Sequence, residues 1–215
     1  MAPGLDKIAR RNAIIDAALP LFAQKGFAAT TTKEIAAAAA VSEALIFKHF
    51  DSKADLYEAI LSRCLEDEPE LKRLLALPPS TDTLIQFVRS IVHHFAIDVP
   101  AAPDDLMMRH RLMIRSFLED GEYARLVYRW VAEHIAPAFE ASLREAIRAG
   151  DAVQTSLPPG DALWLVEHLA SMLATVRMPA HPIAPYASSG PALADQATLF
   201  ILRGLGLTVA TADPK

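Results

Sequence analysis

Within the first 53 residues, small groups of side chains have types and spacings suited to anion and hydrogen-bond recognition. Thr31 and Lys33 stand at the start of one short helical stretch, Ser52 and Lys53 at the start of another, and Lys48 and His49 lie side by side between them. The first turn of a helix carries backbone N–H groups without intrahelical partners, so a hydroxyl or ammonium there completes a site for a negatively charged oxygen. Lys48 and His49 add donors on a helix face, although the pair alone also suits an ordinary solvated face.

A second group lies mid-chain in "DDLMMRHRLMIRSF". Met107, Met113 and Phe117 offer adaptable apolar lining, while His110, Arg111 and Arg115 can meet an acid or a hydroxyl. The segment reads as a ligand-pocket wall, against the plain alternative of core packing. The seven histidines (His49, His93, His94, His110, His134, His168 and His181) include no His-Glu-x-x-His spacing, and Cys64 is alone. No metal and no cofactor is expected. No Gly-x-Ser-x-Gly elbow or phosphate-cradling glycine loop is present, so no enzyme is expected either.

The elements that must position these residues read as helices throughout. A first helix over Leu5 to Lys25 carries Ile8, Ile15, Leu19 and Phe22 on one face and stops at Gly26, which can take the left-handed cap position, with Phe27 folding back. Thr31 and Glu34 have the spacing of a capping box, so a second helix starts near Thr32. Ser42 caps a short third helix that turns Ile46 and Phe50 inward, and Ser52 caps a fourth from Lys53. The five alanines Ala36 to Ala40 run into "VS" with no glycine, which places Ala40 at the turn position that favours positive φ.

Beyond this head, helices are predicted over Lys53 to Leu75, Asp82 to Ile97, Asp104 to Leu118, Glu122 to Ala149 with a bend at Pro137, Asp161 to Arg177, and Ala192 to Leu205. Proline-rich segments such as "LPPST" and "SLPPGD" separate them. The fold class is all-α: a three-helix head containing a helix-turn-helix, residues 1–52, then a larger helical body, residues 53–215. Net charge is −5, but residues 1–53 carry seven Lys and Arg against five Asp and Glu, leaving −7 on the rest. A mildly basic head on an acidic body suits a chain of which one end meets phosphates. No apolar run is long enough for a membrane span, and Asp16 interrupts the one candidate signal segment, so a cytoplasmic location is expected.

The run "IIDAALPLFAQKGFAATTTKEIAAAAAVSEALIFKHFDSKADLYEAIL", Ile14 to Leu61, resembles the DNA-binding domain of the TetR family of bacterial transcriptional regulators. The resemblance rests on Ala-x-x-Leu-Phe-x-x-Lys-Gly-Phe, the Thr-Thr before helix two, the Val-Ser turn, aromatic-x-His-Phe, and the Ser-Lys opening helix four. It implies a homodimeric repressor on double-stranded operator DNA, released by a small-molecule inducer. The DNA-binding residues it implies are Thr31, Lys33, Ser42, Glu43, Ala44, Leu45, Phe47, Lys48, His49 and Lys53. Of these, Thr31, Lys33 and Lys53 would meet phosphates, Lys48 a guanine, Glu43 a cytosine amine and Leu45 a thymine methyl. Phe47 stands where the family usually has a phosphate-reaching tyrosine, and Ala40 where it usually has glycine. The inducer pocket is expected among the middle helices.

The last two helices are apolar around much of their circumference, which predicts a four-helix dimer interface using Trp164, His168, Ala170, Ala174, Ala197, Phe200, Ile201 and Gly204. The alternative function is a helical small-molecule-binding protein or enzyme that keeps a vestigial head.

Overall fold

The computed structural model of the chain describes residues 7–66, 69–101, 106–179, 181, 183–184 and 186–208. The helices are α1 (Lys7–Ala29), α2 (Thr32–Ala38), α3 (Glu43–His49), α4 (Lys53–Glu66), α5 (Pro69–Leu75), α6 (Thr81–His93), α7 (Val99–Ala101), α8 (Leu106–Leu118), α9 (Glu122–His134), α10 (Ala136–Ala149), α11 (Pro159–Thr175) and α12 (Gly190–Gly204). A π-helical turn, His94–Asp98, joins α6 to α7. Among the described residues the one β-type pairing is an isolated antiparallel bridge between Ala152 and Leu207. The fold is all-α.

Packing divides the chain into two compact units, Met1–Glu68 with Met108–Arg129, and Pro69–Met107 with Trp130–Lys215. The division does not fall at residue 52, because α4 and much of α8 and α9 pack with the head.

In the first unit α1 buries Ile14, Ile15, Ala18, Leu19 and Phe22, one stripe of the helix, and the short helices and α4 cover it with Ile35, Ile46, Phe50, Leu56 and Ile60. Aromatic rings close one end: Tyr57 lies 4.8 Å from Phe22, 4.9 Å from Phe27 and 4.9 Å from Tyr123 between centroids. Burial, and then the carboxylates of Asp120, Glu119 and Glu122, push the Tyr57 hydroxyl well above its usual pKa.

Two chain reversals shape this unit. Regular α1 ends at Lys25, because Gly26 has φ 80 and ψ 171, a combination that only glycine adopts readily. The positive φ agrees with the sequence reading, while ψ is extended and not left-handed helical; Phe27 folds back to stack 5.9 Å from Phe22. Between α2 and α3, Ala40 has φ 53, the only positive φ outside glycine among the described residues. The Ala40 amide donates to Ala37 (3.2 Å) and that of Val41 to Ala36 (2.9 Å), the two bonds of a Schellman closure with alanine at the glycine position.

The second unit is built around α6, whose Leu84, Phe87, Val88 and Val92 are buried against α10, α11 and α12. Phe87 and Phe139 meet edge-to-face at 6.0 Å. Arg177 donates to the carbonyl of Ala96 in the π turn at 2.8 Å. The stretch predicted as one helix from Glu122 to Ala149 is two, α9 and α10. Proline at the second position of α10 lacks an amide that such a position does not need, so Pro137 starts a helix here and does not bend one. The stretch predicted from Lys53 to Leu75 is likewise α4 and α5, with residues 67–68 outside the described part. No helix among the described residues is long and apolar enough to cross a membrane.

Candidate nucleic-acid interface

The first turns of α2, α3 and α4 are fixed by their own side chains. Thr31 Oγ1 accepts from the amide of Glu34 (3.2 Å) and Glu34 Oε2 accepts from the amide of Thr31 (3.0 Å), a complete capping box. Lys25 Nζ donates to Glu34 Oε1 at 2.6 Å. That bond, with those from Thr31, holds the Glu34 carboxyl down at about 2. Ser42 Oγ caps α3 at the amide of Leu45 (3.2 Å), and Ser52 Oγ caps α4 at the amide of Asp55 (3.1 Å).

On this frame Thr31, Lys33, Ala44, Phe47 and Lys48 are exposed, and Leu45 and His49 are partly so. A concavity of about 430 Å³ is lined by Thr31, Thr32, Phe47, Asp51, Ser52 and Lys53. The openings of α2 and α4 thus share one open hollow.

Three expected contacts are otherwise engaged. Ser42 uses its hydroxyl oxygen as the α3 cap. Glu43 accepts a hydrogen bond from the Thr32 hydroxyl, so its carboxylate ties α3 to α2 before it can reach a base. Lys53 Nζ donates to the carbonyls of Phe27 (2.5 Å) and Thr30 (2.9 Å) and sits 4.2 Å above the Phe27 ring, so two of its three protons hold the last turn of α1 and the residue after it.

Lys7, Arg10 and Arg11 join the site from α1. Arg11 lies over the Phe50 ring at 5.1 Å. His49 Nδ1 is buried without a hydrogen-bond partner. Desolvation, followed by the charges of Lys7, Lys48, Arg10 and Arg11, lowers the pKa of the imidazole. Four cations therefore surround the end of α3, where a phosphate would relieve their mutual repulsion. The spacing of positions 7, 10 and 11 on one helix face was the sequence signal for this cluster.

Residues 14–60 match the family model described as bacterial regulatory proteins, tetR family. The match covers the head and stops there. The chain's curated relatives include the uncharacterized HTH-type transcriptional regulator YvkB of Bacillus subtilis (strain 168), 58% identical over 50 residues, which are 23% of this chain and 26% of that protein. The HTH-type transcriptional repressor KstR2 of Rhodococcus jostii (strain RHA1) is 41% identical over 61 residues, 28% of this chain and 30% of that protein. The chain thus matches less than a third of the length of these relatives. Solved structures share the fold over far more of it. AibR, in complex with isovaleryl coenzyme A and operator DNA, has a TM-score of 0.61 at 17% identity, covering 90% of this chain and 97% of that one. FadR from Bacillus subtilis, in complex with stearoyl-CoA, also has 0.61 at 17% identity, covering 90% and 98%.

Outside the head, the expected pocket residues do not converge. Successive helix positions turn by about 100°, which sets Met113 and Arg115 on opposed faces of α8. Met107 is buried with Val99 and Ala174, His110 is buried, Arg111 and Phe117 are exposed, and Phe117 stacks 6.0 Å from Tyr128. Arg115 is bound to backbone carbonyls of α1. Among the described residues an open cleft of about 480 Å³ lies between Thr81, Asp82 and Ile85 of α6 and Asp151, Leu207 and Thr208.

The expected dimer residues divide. Ala170, Ala174 and Ile201 are 0%, 0% and 5% exposed, so they pack inside the chain's own core and cannot meet a partner; Ala197 packs partly against the same core. Trp164 is partly buried, while His168, Phe200 and Gly204 are exposed. Beside them sequence reasoning missed Leu165, Leu169 and Met172, which leave about half their surface open on α11. Their three- and four-residue spacing was the available signal.

Proposed function

We propose that the chain is a ligand-responsive transcriptional repressor, a homodimer that holds α3 of each subunit in successive major grooves of a near-palindromic operator. The observation that carries this reading is the face of exposed Ala44 and Lys48 and partly exposed Leu45, flanked by two capped helix openings and a cluster of four cations. Phosphate contacts there position the head, and Lys48 reads a base edge. The curated repressor KstR2 and the operator-bound AibR support the same role.

The dimer face is the exposed apolar strip of Leu165, Leu169, Met172 and Phe200 on α11 and α12. Large apolar side chains at helical spacing mark an association surface. A twofold arrangement of these helices buries the strip and sets the spacing of the heads. DNA binding places the protein in the cytoplasm.

The inducer must bind the DNA-incompetent state more tightly, since equal affinity for both states regulates nothing. Two fold neighbours hold acyl-CoA thioesters, which makes isovaleryl-CoA and stearoyl-CoA the first probes. Footprinting the purified protein on the DNA upstream of its own coding region, with and without each thioester, tests the reading. Protection lost on adding a thioester supports repression with release. No protection at low salt, where phosphate contacts are strongest, contradicts DNA binding itself.

A further inference from the structure

Arg115 makes a set of contacts that neither a pocket wall nor plain core packing requires. From α8 its guanidinium reaches the end of α1, where Nη1 donates to the carbonyl of Gln24 (3.0 Å) and Nη2 to that of Lys25 (3.2 Å). Its Nε donates to Glu119 Oε1 at 2.7 Å. The carboxylate of Glu119 lies against Gly26, in space that a β-carbon there would occupy. A planar fork with three acceptors has one orientation, so the ends of α8 and α1 are set as one piece.

The polar contacts continue from that point to α3. Lys25, whose carbonyl Arg115 holds, donates from Nζ to Glu34 Oε1. The other oxygen of Glu34 closes the capping box on Thr31. The next residue, Thr32, donates its hydroxyl to Glu43, the first residue of α3. Lys53 pins the last turn of α1 and the residue after it from the α4 side through Phe27 and Thr30. The links through Arg115, Lys25, Glu34 and Thr32 are exposed and weak alone, and those of Lys53 are partly buried; together they tie the openings of α2 and α3 to α8.

We infer that Arg115 is a positioning residue for the DNA-contacting face, acting through the end of α1 and the Lys25, Glu34 and Thr31 contacts to orient α2 and α3. The inference rests on the DNA-binding reading above. Arg115 itself touches no nucleic acid, and its removal loosens the frame and leaves every phosphate donor in place.

The test uses the full chain and a duplex enriched by the wild-type protein from a random-sequence pool, with a scrambled duplex as control. Substitutions along a coupled set of contacts shift affinity by about twofold to thirtyfold, and Arg115→Met is expected to weaken the enriched duplex within that range. Its salt slope should match the wild type, whereas loss of a phosphate contact lowers the slope by about one unit. Scrambled-duplex affinity should stay within about twofold. Adding Glu34→Gln should cause no further loss, because both changes break the same path. Arg115→Lys, which keeps the charge but not the fork, is the second variant should the methionine variant not fold, and it too should lose at least twofold. Wild-type affinity in a folded variant overturns the inference, as does a double variant whose losses simply multiply. A wild-type protein that enriches no sequence overturns the DNA-binding reading, and this inference with it.

Discussion

The amide of Val41 donates to the carbonyl of Ala36 at 2.9 Å, and closing that bond holds Ala40 at φ 53. A β-carbon in the left-handed region costs about 1–2 kcal/mol. Ala40→Gly removes that strain but frees the unfolded chain, an offset of about 0.4–1 kcal/mol. A slightly higher melting temperature is expected, with operator preference unchanged. A loss of about 1 kcal/mol, the usual effect of glycine inside a helix, would contradict the turn at Ala40.

Gly26 and Gly150 have similar φ values, 80 and 83, yet should answer differently to alanine. Gly150 is a left-handed cap with open space at its β position, so Gly150→Ala should cost about 1–2 kcal/mol. Gly26 combines φ 80 with ψ 171, and Glu119 fills the space beside it. Gly26→Ala should therefore cost more, up to about 3 kcal/mol from backbone strain alone, and shift Glu119 as well. Denaturant midpoints of the two variants decide the order, and equal midpoints would contradict it.

What the sequence made legible here was local. The capping box at Thr31, the caps at Ser42 and Ser52, and the strained Ala40 are governed by residues a few positions apart, and each is found where it was expected. The family resemblance points Lys53 and Glu43 at DNA, and the charge of Arg115 in an apolar segment points it at a ligand. Their partners, Thr30, Thr32 and Gln24, are backbone carbonyls or a hydroxyl brought near by folding, and such acceptors leave no mark in a pattern of residue types. Ala170 and Ala174 were read as interface because small residues allow close approach. The close approach is real, but it is made within the chain's own core.

His49 links DNA binding to pH. Burial and the charges of Lys7, Lys48, Arg10 and Arg11 keep its folded-state pKa below the usual 6.5, so the imidazole stays neutral at pH 7. As pH falls below 6.5 the unfolded chain takes up a proton before the folded one, and stability declines through that window. A bound phosphate opposes the cations and raises the pKa, so binding should take up a proton and strengthen as pH falls from 7 toward 6. His49→Gln should remove this dependence of affinity on pH. A wild type with a flat profile over that range would contradict the linkage.

Lys48 and Lys53 should separate base reading from framing. Lys48→Ala is expected to relax preference at one base pair, at a cost of about 1–3 kcal/mol, and to leave the melting temperature unchanged. Lys53→Ala should lower affinity for all duplexes alike and also lower the melting temperature, because its ammonium caps the Phe27 and Thr30 carbonyls. Parallel binding and melting curves on both variants check this, and identical behaviour would contradict the assignment of the two lysines.

Sequencing the duplexes that the purified protein enriches from a random pool tests the central claim most directly. Two heads on a twofold axis predict an inverted repeat whose half-sites lie about one helical turn, or a multiple of one, apart. They also predict that binding weakens steeply with added salt. An enriched pool with a single unrepeated half-site would contradict the dimeric arrangement, and no enrichment at all would contradict a sequence-reading head.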